Sequence, residues 1–152
     1  LSWLAICGDD VDTDTLAGRI DELQTTYPNA LLEETPEEVQ HYADQLVAYL
    51  DKRTDNFCPP VDVLRGTTFQ REVWAELRAL EPGETVSYGE LARRIGNPKA
   101  VRAVARACGS NTLAIAIPCH RCVGADGSLT GYRWGVEWKA RLLDIEKALA
   151  TE

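Results

Sequence analysis

Between Ile115 and Gly127 the chain reads IAIPCHRCVGADG, which puts two cysteines and one of only two histidines within four positions, directly behind a proline. Three chemistries use these residue types. A structural zinc site needs four ligands, ordinarily with a second pair some distance along the chain, whereas Cys7, Cys58, Cys108 and His41 are scattered. A dithiol redox pair meets the bare Cys119-x-x-Cys122 spacing, but such motifs open a helix, and here the turn-forming Gly124-Ala125-Asp126-Gly127 follows. In the third chemistry Cys119 is a lone nucleophile, its thiolate favoured by a nearby imidazole and by partial burial among oriented backbone dipoles. His120 is adjacent, yet neighbours on an extended chain point to opposite sides, so the two need a turn or a bridging water to communicate. A third group should orient the imidazole. Glu146 is the downstream candidate, beside the apolar stripe Trp138, Leu142, Ile145 and Leu149 of a helix; a solvated acid paired with Lys147 or Arg141 is the alternative reading of it.

The elements that must position these residues are legible from spacing. The opening LSWLAIC predicts a buried strand ended by Gly8-Asp9-Asp10. Leu16, Ile20, Leu23 and Tyr27 predict a helix capped by Asp12 or Thr13, and Val39, Tyr42, Ala43, Leu46 and Leu50 are the expected buried stripe of a second, begun at Thr35-Pro36. His41 beside that stripe reads as solvated. CPPVDVLRG is the connector, with the boundary near Gly66. Thr67-x-x-Gln70 is a capping box before the apolar Phe69, Val73, Trp74, Leu77 and Leu80. Ser87-x-x-Glu90 caps a short helix ending at Gly96, and Asn97-Pro98 starts another ending near Gly109, a helix-turn-helix. In its second helix Val101, Val104, Ala105 and Cys108 predict the buried face, while Lys99, Arg102 and Arg106 share another with Ala103. NTLAIAIP should run buried and extended to deliver Cys119.

Charge is divided along the chain. The net −8 hides −11 over residues 1–62 and +3 over residues 63–152. From Val86 to Cys108 five basic residues, Arg93 and Arg94 among them, face one acid, a patch that suits phosphates. Whole-chain acidity therefore does not exclude DNA. At 152 residues the chain buries enough surface to fold without staples, and its irregular cysteines fit a reducing cytoplasm better than a disulfide framework. No apolar run approaches the ~20 residues that span a bilayer.

The segments IPCHR, SYGELARRIGNPKAVRAVARACGSN before it and GSLTGYRWGVEWKARLLDIE after it closely resemble the O6-alkylguanine-DNA alkyltransferases, or methylated-DNA-protein-cysteine methyltransferases, from about Arg65 to Glu146. GYRWG is most similar to the carboxy-terminal domain of Ada-type proteins. The resemblance implies an α+β fold, with an α/β subdomain of partial sheet and helices over residues 1–65 and a mainly helical DNA-binding and alkyl-acceptor domain over residues 66–152. LSWLAIC would be the last strand of the family's amino-terminal sheet. The implied function is irreversible, single-turnover transfer of the alkyl group from O6-alkylguanine in duplex DNA to Cys119, by a monomer with no cofactor, metal or membrane. It places His120 as base through a water, Glu146 as the acid orienting it, Tyr88 as proton donor to the leaving guanine, and Asn111 in the turn behind the cysteine. Arg102 would fill the space vacated by the flipped base, with Ala103, Lys99, Arg106, Arg94 and Tyr88 along the DNA surface. Tyr132, Arg133 and Trp134 would wall the base pocket. Cys122 stands where the family usually has valine and reads as a small buried side chain, carrying the risk of an oxidised Cys119–Cys122 pair.

Overall fold

The structure, a computed structural model, describes residues 1–7, 12–55, 57–63 and 65–150. The capping box forms as spelled: Thr67 Oγ1 accepts from Gln70 N and Gln70 Oε1 from Thr67 N, starting α3 (Thr68–Arg78). Val73, Trp74 and Leu77 face inward, and Trp74 Nε1 donates to Ala107 O at 2.9 Å, locking α3 to α5 (Val101–Gly109). Gly66 precedes this helix at φ +107°, and a Cβ there would meet the Trp74 ring at 2.6 Å. Gly66→Ala is therefore expected to cost about 2 kcal/mol through backbone strain and displaced packing, read as a lowered Tm; an unchanged Tm would refute this role.

Ser87 caps α4 (Tyr88–Arg94) by accepting from Glu90 N. The helix ends in a Schellman arrangement, with Gly96 N to Arg93 O and Asn97 N to Ala92 O both at 2.9 Å and Gly96 at φ +72°. The next helix begins later than spacing suggested. Asn97 O accepts from Ala100 N, closing a turn around Pro98 and Lys99, and α5 starts at Val101. Lys99 thus stands on the turn and not on the helix face with Arg102 and Arg106. The inward face of α5 is Val104, Ala107 and Cys108, whereas Val101 and Ala105, expected inside, are exposed. A helix this short packs on α3 and α4 along one narrow line, which leaves its neighbouring positions outside.

Two strand expectations change. LSWLAIC is no regular strand: Leu4 makes one isolated parallel bridge to Leu113, through Leu4 N to Thr112 O and Ala114 N to Leu4 O. Among the described residues of 1–65 the expected partial sheet is reduced to that bridge, because the partner backbone turns away immediately after it. Its Gly8-Asp9-Asp10 stop lies outside the described residues. Residues 113–117 are buried as expected but turned, not extended, with Ile117 N bonded to Leu113 O at 3.0 Å and Ile115 at φ +63°. The sheet among the described residues is β1 (Val86–Ser87) parallel to β2 (Cys122–Val123), with Val86 opposite Cys122. With its helices the chain is α+β.

The amino-terminal helices α1 (Thr13–Thr26) and α2 (Pro36–Leu50) form where expected, α1 capped by Asp12. Their apolar stripes are only half covered: Leu16 is 49% exposed and Val39 51%, while Leu46 and Leu50 lean against the core. The buried residue of α2 is Tyr49, outside the predicted stripe, because it alone is drawn into the carboxy-terminal core by a polar partner. In α6 (Val136–Leu149) the buried line is Lys139, Leu142 and Glu146, which shares only Leu142 with the apolar stripe anticipated. No helix among the described residues is long and apolar enough to cross a membrane.

Candidate active site

Cys119 opens a single turn of 3-10 helix, Cys119–Arg121, behind Pro118. That turn is what an adjacent Cys-His pair needs to place both side chains in one buried region. Asn111 builds the approach: its Nδ2 donates to Leu113 O at 3.2 Å, Ile117 O at 2.9 Å and Cys119 Sγ at 3.2 Å, while Oδ1 accepts from Leu113 N at 2.8 Å. One amide thus braces the strained turn at Ile115 and reaches the sulfur.

His120 Nε2 hydrogen-bonds Glu146 Oε1 at 2.9 Å, and Nδ1 has no hydrogen-bond partner among the described residues. Glu146 is fully buried, so the solvated alternative for it does not hold. Arg121 engages both its oxygens, with Nη2 at 2.7 Å and Nε at 3.0 and 3.1 Å, and is itself held by Leu80 O. Tyr49 Oη donates to Oε1 at 2.5 Å and Gly83 N to Oε2 at 3.1 Å. Burial by itself would raise the Glu146 carboxyl, but the bonds from His120 and Arg121 overcome it and hold the group at about 2. Because the folded value lies below the unfolded one, this contribution to stability is complete above the ordinary carboxylate value of 4.5 and is lost as pH falls from there through about 2. Unfolding free energy measured against pH should fall over that window, and Glu146→Leu should flatten that part of the slope; an unaltered slope would show that Glu146 titrates normally.

Burial pushes the Cys119 thiol up to about 12, with the Asn111 hydrogen bond pulling the opposite way and the Cys108 charge adding to the rise. This corrects the expected ready-made thiolate: an apolar pocket disfavours the anion more than one amide donor favours it. Burial also lowers His120 below its usual value, against the pull of Glu146, so at rest both the imidazole and the neighbouring thiol are neutral. Such a pair is a base waiting for its acid.

A pocket of ≈ 450 Å³ opens above Cys119, lined by Tyr88, Arg102, Ala105, Tyr132 and Arg133 among others. Tyr88 Oη donates to Thr130 O at 3.3 Å, and burial raises its hydroxyl to about 12. The Tyr132 ring stands edge-on to His120 at 6.4 Å and to Trp134 at 5.2 Å; Trp134 is buried behind it rather than in the wall. Arg133 pairs with Glu22 of α1 and donates to Gly109 O. On the outer surface Lys99, Arg102 and Arg106 make no ion pair among the described residues, and Ala103 is exposed between them. Arg94 instead lies 3.2 Å from Glu84 and 3.6 Å from Glu90, and Arg93 2.8 Å from Glu90, so part of the basic patch read from sequence is neutralised locally.

Three buried polar residues escaped the sequence reading. Arg121 lay within the quoted motif without a role, Tyr49 sits 97 positions from its partner, and Lys139 is a buried cation whose Nζ donates to the carbonyls of Cys122 at 2.6 Å and Thr130 at 2.9 Å. The one signal for Lys139 and Glu146 was their placement at i and i+7 about Leu142. All five cysteines are free thiols, and among the described residues no three His, Cys, Asp or Glu side chains stand where they could share a metal ion.

A buried thiol thus lines a pocket flanked by a short cationic helix, and the residue after it begins a buried His120–Glu146–Arg121 chain of polar contacts. Residues 68–148 match the family model described as 6-O-methylguanine DNA methyltransferase, DNA binding domain, and the chain belongs to that family. It is 50% identical over 135 residues to the bifunctional transcriptional activator/DNA repair enzyme Ada of Escherichia coli, covering 88% of this chain and 37% of that one. It is 44% identical over 126 residues to the inducible methylated-DNA--protein-cysteine methyltransferase of Bacillus subtilis, covering 83% of this chain and 70% of the relative. Among solved structures, Mycobacterium tuberculosis OGT in complex with DNA superposes with TM-score 0.68 at 48% identity, over 70% of this chain and 66% of that one. The chain thus spans under two-fifths of the length of its Ada-type relatives.

Proposed function

We propose that the protein repairs DNA by moving the alkyl group of O6-alkylguanine irreversibly onto Cys119. The observation that carries this reading is the buried thiol lining the pocket, followed in the chain by a buried His120 that Glu146 and Arg121 hold in place. Residues 66–152 act as the DNA-binding and alkyl-acceptor domain and residues 1–65 as its support. α4 and α5 serve as a helix-turn-helix whose second helix enters the minor groove, with Arg102 taking the place of the extruded base and Lys99 and Arg106 on phosphates. Arg94, already paired, contributes less, and Ala103 lets the backbone approach.

The everted guanine enters between Tyr88 and Tyr132. A water linking Cys119 Sγ to His120 Nδ1 carries the thiol proton to the imidazole, whose charge Glu146 meets and Arg121 keeps from being quenched by protonation of the acid. The sulfur forms a bond to the alkyl carbon as the carbon–O6 bond breaks. Guanine departs as a neutral base with a proton from Tyr88, which first leaves Thr130 O. Charge therefore appears only while substrate excludes water. The product is a thioether that water does not cleave, so each monomer acts once.

The test is to mix stoichiometric protein with a duplex bearing O6-methylguanine and weigh the tryptic peptides. One methyl group per molecule on the peptide Ala107–Arg121, absent in Cys119→Ser, is the expected result. A methyl that stays on the DNA, or one found in Cys119→Ser at the same yield, would end the proposal.

A further inference from the structure

Three of the five cysteines are buried together. Cys108, on the inward face of α5, and Cys119, at the pocket floor, both line the ≈ 450 Å³ pocket. Cys122 is fully buried outside it, tied into β2 opposite Val86. The order of the thiols is not the order in sequence. Spacing couples Cys119 to Cys122, but Cys108 stands between them, hydrogen-bonded to Cys122 and near enough for its charge to bear on Cys119. A small oxidant entering the pocket meets Cys108 and Cys119 together and is kept from Cys122.

We propose that Cys108 is a resolving thiol for Cys119, closing a disulfide across the pocket when the protein meets a peroxide. In the first step Cys119 Sγ attacks one oxygen of hydrogen peroxide and the O–O bond breaks. The thiol proton passes by way of His120 to the departing hydroxide, leaving a sulfenic acid and one water. In the second step Cys108 Sγ attacks the sulfenic sulfur, the S–OH bond breaks, and the hydroxide takes the Cys108 proton to leave as a second water. One peroxide is reduced to two waters while two thiols are oxidised to one disulfide. The bond keeps the irreplaceable sulfur from the sulfinic and sulfonic acids, and a thiol reductant restores it. That it suspends repair rests on Cys119 being the alkyl acceptor; the disulfide itself does not.

The chain is built for the assay, since trypsin cuts after Arg106 and Arg121 and leaves Cys108 and Cys119 on one peptide and Cys122 on the next. The full chain is treated with a slight excess of hydrogen peroxide, its free thiols are blocked with N-ethylmaleimide, and it is digested without reduction. The expected product is Ala107–Arg121 lighter by two hydrogens and without maleimide, beside a maleimide-labelled Cys122 peptide; Cys122→Val should give the same bridge. A link to Cys122, or hyperoxidised Cys119 beside a labelled Cys108, would overturn the proposal. In parallel, wild type and Cys108→Ser are oxidised, reduced with dithiothreitol and assayed for methyl transfer, each against its own untreated rate. Recovery should be about fivefold greater in wild type, and equal recovery would also overturn it. Should untreated wild type transfer no methyl, the repair reading fails, and the peptide masses still decide the disulfide.

Discussion

Glu146→Gln will slow alkyl transfer by about 10²-fold, the scale of a lost acid–base partner, and will lower Tm by about 10 °C. The rate falls because glutamine offers His120 no charge to meet its own, so proton transfer from a thiol held near 12 becomes uphill without compensation. The stability falls because Arg121, nearly all buried, loses its counter-ion. Removing one partner of a buried pair costs about 3 kcal/mol, and a chain of this size loses about 3 °C per kcal/mol. Rates on a methylated duplex and on free O6-benzylguanine should fall by similar factors, since both need the same thiolate, while duplex affinity stays near wild type. An unchanged rate in the folded variant would remove Glu146 from the proton path; a loss confined to duplex substrate would move its role to DNA binding.

Asn111→Ala should be of similar size in rate, about 10²-fold, and cost about 2 kcal/mol in stability. Its side chain holds Leu113, Ile117 and the Cys119 sulfur at once, and it compensates the left-handed backbone at Ile115. Alanine leaves the buried Leu113 N–H unpaired and lets the turn relax, moving the sulfur from its line with the pocket. It also withdraws the strongest of the contacts that lower the Cys119 thiol, so transfer should need a higher pH to reach a given rate. Asn111→Asp separates the effects: the aspartate can still accept from Leu113 N but places a negative charge beside the developing thiolate, so its Tm should fall less and its rate more. Wild-type transfer by Asn111→Ala would show that the turn holds without it.

Much of this was legible because it is local. Caps at Thr67 and Ser87, the stop at Gly96 and the apolar run of α3 depend on residues within a turn of one another, and each formed as written. The pairing of His120 with Glu146 was reachable only as one reading among two, since an acid at a stripe's edge is equally at home in water. What failed were expectations that assumed every apolar stripe finds a cover and every apolar run extends. Val39 and Leu16 stay exposed, and residues 113–117 curl around a side chain that spacing rules do not weigh.

By itself the sequence determined where the helices lie, the caps of α1, α3 and α4, and the cysteine, histidine and acid at the centre, because those follow from backbone hydrogen bonding over three or four residues and from the chemistry of single side chains. Tertiary structure alone decided that Glu146 is ionised beneath a buried arginine and a tyrosine from the other half of the chain. It also decided that Cys119 rests as a thiol and that its neighbour in the pocket is Cys108 rather than Cys122. The physical reason is that burial sets the cost of a charge, and burial belongs to residues far apart in sequence that meet only when the chain is folded.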